Sequence, residues 1–429
     1  MIGAIDVDLS SKQPTAVPGA PKRVAMLHPA FDRPGGAEDN VAVFSEALIE
    51  RGWSVEIITA RWNPDAFEGR LDRFEPRLVR RACAGLAGGI DRRSLSAIAD
   101  AIRDCDIAMA HNYPFSTYLG FAPVALPKIW YCQEPQRRIH TPETSPGLQR
   151  GIAAGNLDLD VPGNREVARA LRVSQSMRRL NLRYRGKRAS DIEGVRGIDA
   201  IWANSVATAA QVRSLYGCPA DVVYMAVDIP ETLPPAAPLA GPVRILTMGG
   251  FGPAKGFGRL LHGFERFCRG RRGTAVLEVV GSMAGQTQFA EAVAKQGLSD
   301  SVRFHGRLTS TALGVLRKQC HGFAAAPIDE PFGLVFAEAA AAGLVMIAPD
   351  HGGPREIALD GRAGILIDVF DPQNIAAAFA RLLDLSPDER ERLRRSAFDG
   401  TKARFDRAQL GARLDSHLHK LLSRRNRVE

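Results

Sequence analysis

The sequence predicts an α/β fold of two domains, each built around a parallel β-sheet, and three observations support this. The chain has 429 residues, too many for one ordinary core, so two domains are expected first and three second. Segments 22–60 and 243–282 each contain an apolar strand, a glycine-containing loop, an amphipathic helix and a second strand. Residues 229–242, IPETLPPAAPLAGP, form a proline-rich linker between the two halves. Strand–helix–strand segments of this length form parallel βαβ units, which predicts two Rossmann-like domains.

The other elements are predicted from short apolar runs. The first segment has the strands RVAML and SVEIIT, with a helix between them whose apolar face carries Val41, Phe44 and Leu48. Further buried strands are expected at 106–112, 128–135, 200–205, 302–306, 322–327, 345–349 and 364–367. Helices are expected after Asp371, after Pro387 and near 401–425.

The predicted domain boundaries follow from these elements. Residues 1–20 are expected to be a flexible tail, residues 21–230 the N-terminal domain and residues 241–404 the C-terminal domain. The last helix, within 405–429, is expected to join the N-terminal domain. Ligands of open parallel sheets bind at the carboxyl ends of the strands, so two facing sheets predict a cleft between the domains.

Composition limits the class of protein. With 45% apolar and 24% charged residues, the chain resembles ordinary soluble globular proteins. Its net charge of +9 suits an anionic ligand, a membrane surface or nucleic acid, but no nucleic-acid-binding motif with interleaved aromatic residues supports the last. The six cysteines form no CxxC or Cys/His cluster, so we expect no metal site and a reducing cytoplasm. Asp6 and Asp8 interrupt any signal-peptide core, and no apolar run of about 20 residues predicts a transmembrane helix.

Two glutamates stand out in the apolar stretch from Asp329 to Pro354. If a helix begins near Gly333, the first free N–H groups, those of Gly333, Leu334 and Val335, suit a diphosphate. Glu330 and Glu338 then lie on either side of it, roughly 12 Å apart along a helix axis. That distance is too long for a proton-sharing pair and fits hydroxyls on the two sugar rings of a nucleotide sugar. Two unrelated surface glutamates are the alternative.

A second candidate is the loop GGFGPAKG, residues 249–256. Its glycines allow a close approach to an anion, and Lys255 adds a positive charge near a helix start. It lacks the ending of a P-loop, so a plain strand-to-helix turn is the alternative.

Several motifs together resemble one family. EPFGLVFAEAAAAG, followed by a strand and GGPREI, resembles the E-x7-E region of the retaining GT-B glycosyltransferases of family 4, also called group 1. GGAE (35–38), AHN (110–112), ANS (203–205), GGFGPAKG and VRFHGRL are similar to further family segments in the same order. YCQEPQR (131–137) is similar to the Y-x-H-x-P-x-R segment of bacterial mannosyltransferases. The resemblance covers roughly residues 22–400 and implies a GT-B fold whose two Rossmann-like domains face each other across a cleft.

The resemblance implies a role for each matching residue. The N-terminal domain would hold the acceptor and the C-terminal domain the nucleotide sugar. Glu330 would contact donor-sugar hydroxyls, Glu338 the ribose, and Lys255 the phosphates, with His111 near the donor sugar. Backbone groups would contribute at Gly35, Gly36, Phe332, Gly333, Leu334 and Val335, and the loop of Gly306, Arg307 and Leu308 would cradle the base. No cofactor and no metal ion is implied.

Three departures from the family pattern affect these expectations. The usual arginine of G-R-x-x-x-x-K-G is Gly250 here, the usual histidine of Y-x-H is Gln133, and the P-G-V-D element is MAVD at 225–228. The candidates to replace the lost phosphate-binding charge are Arg355, Arg307 and Arg137. Reduced activity or an unusual donor would be consistent with the departures.

The segment 165–188 is strongly basic. Val167, Leu171, Met177, Leu180 and Tyr184 fall near one helical stripe, with arginines opposite. Such a helix can bind an anionic membrane surface or a lipid-diphosphate acceptor, and a solvated helix is the alternative.

We therefore predict a retaining, metal-independent hexosyltransferase, most simply one that moves mannose from GDP-mannose onto a glycan or lipid-linked acceptor in cell-surface polysaccharide or glycolipid synthesis. It would work in the cytoplasm or peripherally on the cytoplasmic membrane face. A UDP-sugar-dependent hexosyltransferase and a catalytically weak nucleotide-sugar-binding partner protein are the alternatives.

Overall fold

The computed structural model describes residues 21–32, 35–67, 69, 71, 73–79, 90–141, 143–161 and 163–425. The predicted tail at 1–20 and the last four residues lie outside this part of the chain. Among the described residues, no helix is both long and apolar enough to span a bilayer.

The N-terminal domain is a parallel sheet covered by helices. Its strands are β1 (Arg23–His28), β2 (Ser54–Thr59), β3 (Arg77–Leu78), β4 (Ile107–Ala110), β5 (Lys128–Cys132), β6 (Ala200–Ala203) and β7 (Asp221–Val222). Their spatial order is β3-β2-β1-β4-β5-β6-β7. The helices are α1 (Gly36–Ile49), α2 (Arg92–Ile102), α3 (Phe115–Phe121), α4 (Arg137–His140), α5 (Pro146–Ala153), α6 (Asn164–Leu180), α7 (Leu182–Arg196) and α8 (Val206–Tyr216).

The C-terminal domain repeats this design. Its strands are β8 (Val243–Met248), β9 (Ala275–Val280), β10 (Val302–Gly306), β11 (Gly322–Ala324), β12 (Val345–Pro349) and β13 (Gly364–Ile367), in the parallel order β10-β9-β8-β11-β12-β13. The helices are α9 (Phe257–Cys268), α10 (Met283–Lys295), α11 (Ser310–Gln319), α12 (Leu334–Ala341), α13 (Gly352–Ile357), α14 (Pro372–Leu383), α15 (Pro387–Phe405) and α16 (Arg407–Arg425). The predicted fold of two parallel-sheet Rossmann-like domains is confirmed.

The strand order determines where a crevice forms in each domain. In each sheet the order reverses beside the first strand, where β1 pairs with both β2 and β4 and β8 pairs with both β9 and β11. Loops leave in opposite directions on the two sides of this reversal, so a crevice forms at the carboxyl ends of the strands. Strands β4 and β11 are fully buried, which explains their continuous apolar sequences.

The last two helices connect the domains. The carbonyl of Phe405, at the end of α15, accepts a hydrogen bond of 2.9 Å from Val227 N–H. Helix α16 then packs on the N-terminal domain, where the indole of Trp53 donates to Asp415 Oδ1 at 2.8 Å. The buried leucines of α16 join the same core as α1, so this helix packs as part of the N-terminal domain.

The basic segment 165–188 differs from the single helical stripe that its sequence predicts. It forms two helices, α6 and α7, because the side chain of Asn181 accepts a hydrogen bond from Tyr184 N–H and starts a new helix. Leu171 is buried, but Leu180 and Leu182, on either side of the break, are 85% and 79% exposed. The apolar residues of this segment therefore split between the domain interior and an exposed turn.

Candidate functional site

A cavity of about 630 Å³ lies between the carboxyl edges of the two sheets. The N-terminal domain lines it with Gly36, Asn112, Gln133, Glu134, Arg137 and Asn204, among others. The C-terminal domain contributes the loop before α12, the first turn of that helix, and the glycine loop after β8. The site is therefore shared by both domains.

The structure brings most of the predicted site residues to this cavity, namely Gly36, Arg137, Lys255, Glu330, Phe332, Gly333, Leu334, Val335 and Glu338. Five others are not among its lining residues, namely Gly35, His111, Gly306, Arg307 and Leu308. Glu134, Asn112 and Asn204 line the cavity although sequence reasoning did not select them. Glu134 lies inside the quoted segment YCQEPQR, whose polar residues after a strand were the available signal.

The predicted helix start near Gly333 is confirmed. Gly333 precedes α12 with φ 91° and ψ 59°, a left-handed conformation that favours glycine. A Cβ there would also lie 2.9 Å from the Phe336 ring and 3.1 Å from Pro354. Because the first turn of a helix leaves its N–H groups without helical partners, the amides at Leu334 and Val335 are available to an anion in the cavity.

Lys255 and Glu330 form the polar centre of the C-terminal wall. Lys255 Nζ lies 2.8 Å from Glu330 Oε2, with the lysine half-exposed and the glutamate largely buried. Lys255 ends a short 3₁₀ turn, Pro253–Lys255, and Gly256 follows with φ 78°. A Cβ at Gly256 would lie only 1.8 Å from the Ala326 carbonyl oxygen, so the loop can approach β11 this closely only with glycine.

A buried arginine supports that turn. Arg259 donates hydrogen bonds to the carbonyls of Pro253 and Ala326, at 3.2 and 3.1 Å, and to Asn164 Oδ1 at 3.1 Å. Burial lowers the pKa of Arg259 to about 9. The guanidinium thus links the lysine turn to the start of α6 in the other domain.

Glu338 lies one turn further into α12 and is also paired. Arg317 Nη2 donates to Glu338 Oε2. Burial raises the pKa of Glu338, and Arg317 opposes that effect. A carboxylate held by one arginine keeps lone pairs free to accept hydrogen bonds from hydroxyls.

The N-terminal wall carries a second ion pair. Arg137 donates from Nε to Glu134 and from Nη2 to the Asp329 carbonyl, the latter at 2.9 Å. Burial raises the pKa of Glu134, and the neighbouring Arg137 opposes this rise. Gln133 donates to the Ala37 carbonyl at 3.4 Å, which links this segment to the loop at Gly36.

His111 occupies a different environment from the one its motif implies. Its side chain is fully buried between Phe44 and Tyr131, with ring-centroid distances of 5.6 and 5.3 Å. Neither ring nitrogen has a hydrogen-bond partner in the described part of the chain. Burial holds the pKa of His111 well below its usual value, with a smaller contribution from His28. The residue after it, Asn112, is the one that reaches the cavity.

The loop predicted to cradle the base lies at the edge of the C-terminal sheet. Gly306 has φ 71°, and its N–H donates to Gln286 Oε1 at 3.0 Å. A Cβ at Gly306 would lie 2.8 Å from Met283 Sδ. Its role in base binding stays a prediction.

Two carboxylates of the C-terminal domain cap helices of the N-terminal domain. Asp329 accepts from the N–H groups of Gly147 and Leu148 at 2.7 and 3.1 Å, at the start of α5. Glu356 accepts from Val206 and Ala207 at 3.0 and 2.8 Å, at the start of α8, where Ser205 is the N-cap. These contacts hold the two walls of the cavity in one arrangement.

No group of three or more His, Cys, Asp or Glu residues in the described ranges could hold a metal ion. Metal independence stays a prediction.

Two family matches divide the chain as the fold does. Residues 34–230 match the family described as Glycosyltransferase Family 4, and residues 231–399 match the family described as Glycosyl transferases group 1. The two ranges together extend from the first glycine loop to the middle of α15.

Individual relatives match parts of the chain. It is 30% identical over 169 residues to a glycogen synthase of Mycobacterium tuberculosis, which covers 39% of this chain and 40% of that protein. It is 30% identical over 222 residues to a D-inositol 3-phosphate glycosyltransferase of Thermomonospora curvata, which covers 46% of this chain and 51% of that protein. The chain thus spans about half or less of the length of each of these relatives.

A solved structure matches the whole architecture. The Anabaena protein HepE, in complex with UDP and glucose, superposes with a TM-score of 0.67 over 93% of this chain and 100% of that chain, at 16% identity. The two adjoining domain matches and the shared two-domain architecture show that the chain has the GT-B fold, with a domain that matches the family 4 glycosyltransferases followed by one that matches the group 1 glycosyltransferases.

Proposed function

We propose that this protein is a retaining hexosyltransferase that transfers a sugar from a nucleoside diphosphate donor to a hydroxyl group, without a metal ion. The observation that carries the proposal is the arrangement along one wall of the cavity. Lys255 and the first turn of α12 present positive charge and free N–H groups, and Glu330 and Glu338 lie on either side of that turn. A diphosphate between a sugar and a ribose has the same order of anionic and hydroxyl groups.

This arrangement suggests how the bond to the donor sugar breaks. Negative charge develops on the leaving phosphate oxygen. Lys255 and the N–H groups at the start of α12 would stabilise this charge without moving, because the fold already positions them beside the cavity. Glu330 would hold sugar hydroxyls beside the reacting carbon. The acceptor hydroxyl would attack from the same face as the departing phosphate, whose oxygen takes the hydroxyl proton, so configuration is retained. Closure of the two domains would exclude water from this step.

Two donors have support. The resemblance of GGAE and YCQEPQR to mannosyltransferase segments supports GDP-mannose. The likeness in fold to HepE, solved with UDP and glucose, supports a UDP-hexose. The acceptor we propose is a glycan or lipid-linked sugar, because the N-terminal wall is rich in amide and carboxylate groups that bind hydroxyls.

The experiment is a donor screen followed by turnover. A specific donor should raise the melting temperature, because a ligand that binds only the folded protein stabilises it. The donor that stabilises most is then tested for transfer to glycan and lipid-linked acceptors, with Lys255→Ala and Glu330→Gln as variants. Unchanged transfer in both variants would rule the proposed site out. Tight binding with no product on any acceptor would instead favour the binding-partner alternative.

We also propose that the turn between α6 and α7 rests on an anionic membrane. Val173, Met177, Leu180 and Leu182 are exposed there, among the exposed arginines Arg169, Arg172, Arg179, Arg183 and Arg185. Exposed leucines flanked by arginines suit the boundary between headgroups and acyl chains. The charge complementarity favours anionic lipid over a neutral surface.

Vesicle flotation tests this surface. The protein should float with phosphatidylserine-containing vesicles and not with phosphatidylcholine alone, and a Leu180→Ser/Leu182→Ser double variant should lose the interaction. Leu239→Ser, at a 58% exposed leucine of the linker, is the matched control. Equal flotation of both variants would show that the turn is not the membrane contact.

A further inference from the structure

The cavity has few positive charges for a site that is to hold a diphosphate. Among the described residues that line it, the only Lys or Arg side chains are Lys255 and Arg137, against the carboxylates of Asp39, Glu134, Glu330 and Glu338. An anion of two or more charges is costly to bind beside carboxylates unless cations pair with it directly. Gly250 contributes no charge from the loop where the family pattern has arginine. A second cation for the diphosphate therefore has to come from a part of the chain other than the loop that contains Gly250.

The other arginines with a claim to this role are occupied or distant. Arg355 donates to Asp360 Oδ1 at 2.8 Å and to the Asp350 carbonyl at 3.2 Å, outside the cavity lining. Arg307 is exposed and also outside it. Arg317 is paired with Glu338.

Arg137 stands directly beside the lysine pair, although it belongs to the other domain. Its Nη2 is anchored on the carbonyl of Asp329, and the next residue, Glu330, holds Lys255 Nζ at 2.8 Å. Its Nη1 has no hydrogen-bond partner in the part of the chain described, and the side chain is 33% exposed, at the cavity wall. The guanidinium of Arg137 and the ammonium of Lys255 therefore bind two consecutive residues, Asp329 and Glu330, although the two cations belong to different domains.

We propose that Arg137, supplied by the N-terminal domain, is the second cation of the diphosphate site and replaces the arginine that Gly250 lacks. The inference rests on the proposed function, since it assigns the ligand of that same site. In the free protein, Glu134 and Glu330 neutralise the two cations. A bound diphosphate takes over both cations, and the two carboxylates become free to accept hydrogen bonds from sugar hydroxyls.

This arrangement ties donor binding to the relative position of the domains. A diphosphate held by Lys255 from one domain and Arg137 from the other bridges the cavity. The carbonyl that anchors Arg137 belongs to Asp329, whose carboxylate caps α5 of the N-terminal domain. A donor would therefore favour the arrangement in which both walls meet, because only that arrangement offers both cations.

The first test compares nucleotides that differ by one phosphate. Titration calorimetry measures binding of GDP, UDP, GMP and UMP to the wild type, to Arg137→Gln and to Arg355→Gln as the matched control. Loss of a charge-assisted hydrogen bond is expected to weaken the preferred diphosphate by about 10- to 100-fold in Arg137→Gln. The affinity of Arg137→Gln for the monophosphate should fall much less, and Arg355→Gln should bind both nucleotides like the wild type.

The second test restores the missing arginine. Gly250 lies outside the left-handed region of φ, and a Cβ there would make only an ordinary contact, 3.9 Å from Lys255 Cγ. Gly250→Arg should therefore fold, and in the Arg137→Gln background it should recover most of the lost diphosphate affinity. In the wild-type background the same substitution should strengthen diphosphate binding less, because Arg137 already supplies the charge.

The outcomes separate this inference from the proposed function. If the wild type binds no nucleoside diphosphate, the proposed function fails. If it binds one, but Arg137→Gln binds it unchanged or weakens mono- and diphosphates equally, the role of Arg137 is overturned. Should Arg137→Gln fail to fold, Gly250→Arg in the wild-type background decides: a gain of about tenfold or more in diphosphate affinity would overturn the role of Arg137, because the second cation would then have been missing, and a smaller gain would support it.

Discussion

Asp329 and Gly147 join the two domains through a hydrogen bond of 2.7 Å from the Gly147 N–H to Asp329 Oδ1. Asp329 is 5% exposed and has φ 50°, a conformation that few residues other than glycine adopt and that aspartate tolerates. Its own N–H donates to His351 Nε2 at 3.2 Å. The loop that carries Glu330 is therefore held by the opposite domain, so the position of Glu330 and the arrangement of the two domains depend on each other.

Weakening this cap should loosen the domains. Asp329→Asn keeps a residue suited to positive φ but leaves one acceptor oxygen for the N–H groups of Gly147 and Leu148. We therefore expect the two domains to move apart, which X-ray scattering would detect as a larger radius of gyration. The unfolding free energy should fall by about 1 kcal/mol. Asp371→Asn is the matched control, because Asp371 caps α14 within one domain. Equal radii for the two variants would contradict the role of Asp329 between domains.

Removing the cavity lysine should slow transfer more than it weakens donor binding. Lys255→Met retains the length of the side chain but loses the charge that faces the leaving phosphate, so kcat should fall by about 100- to 1000-fold. Lys318→Met, at an exposed lysine of α11, is the control. Steady-state rates with saturating donor decide this prediction, and a variant that changed only KM would place Lys255 in ground-state binding instead.

Glu338 should recognise ribose hydroxyls. Its carboxylate is held in place by Arg317. The amide in Glu338→Gln is a poorer hydrogen-bond acceptor than the carboxylate, so the affinity for nucleoside diphosphates should fall by about tenfold. The sharper measurement compares ribo- and deoxyribonucleotides. The wild type should prefer the ribonucleotide, whereas Glu338→Gln should bind the ribo- and deoxyribonucleotide almost equally. An undiminished preference in the variant would assign the ribose to another residue.

The sequence predicted the fold where local signals agree. The strand–loop–helix–strand segments at 22–60 and 243–282 and the helix start at Gly333 follow from apolar periodicity and from the positions of the glycines. The break of the basic segment at Asn181 was missed, because a continuous helical stripe hides a polar residue that starts a new helix with its own side chain.

Local spacing predicts geometry only on the side of the site that forms one segment, whereas Gly36 and Arg137, which also line the cavity, were predicted through the family resemblance. Glu330, the α12 start and Glu338 lie close together in sequence, so their spacing indicates their geometry. The pairing of Arg137 with the carbonyl of Asp329 joins residues 192 positions apart and leaves no local trace. The burial of His111 was also missed, because a strand end shows which residue closes the strand and not which way its side chain points.

The buried His111 should make the protein sensitive to acid. Because burial depresses its pKa in the folded state, the unfolded chain takes up a proton below about pH 6.5 that the folded chain does not, and stability falls as the pH falls. Protonation of this group in the unfolded chain can lower the free energy of unfolding by at most about 1.4 kcal/mol per pH unit. His111→Phe keeps an aromatic ring between Phe44 and Tyr131 and removes two unpaired nitrogens. Urea unfolding at pH 7.5 and 5.5 should therefore show a smaller acid-induced loss in the variant, and an equal loss would mean that other groups govern the acid response.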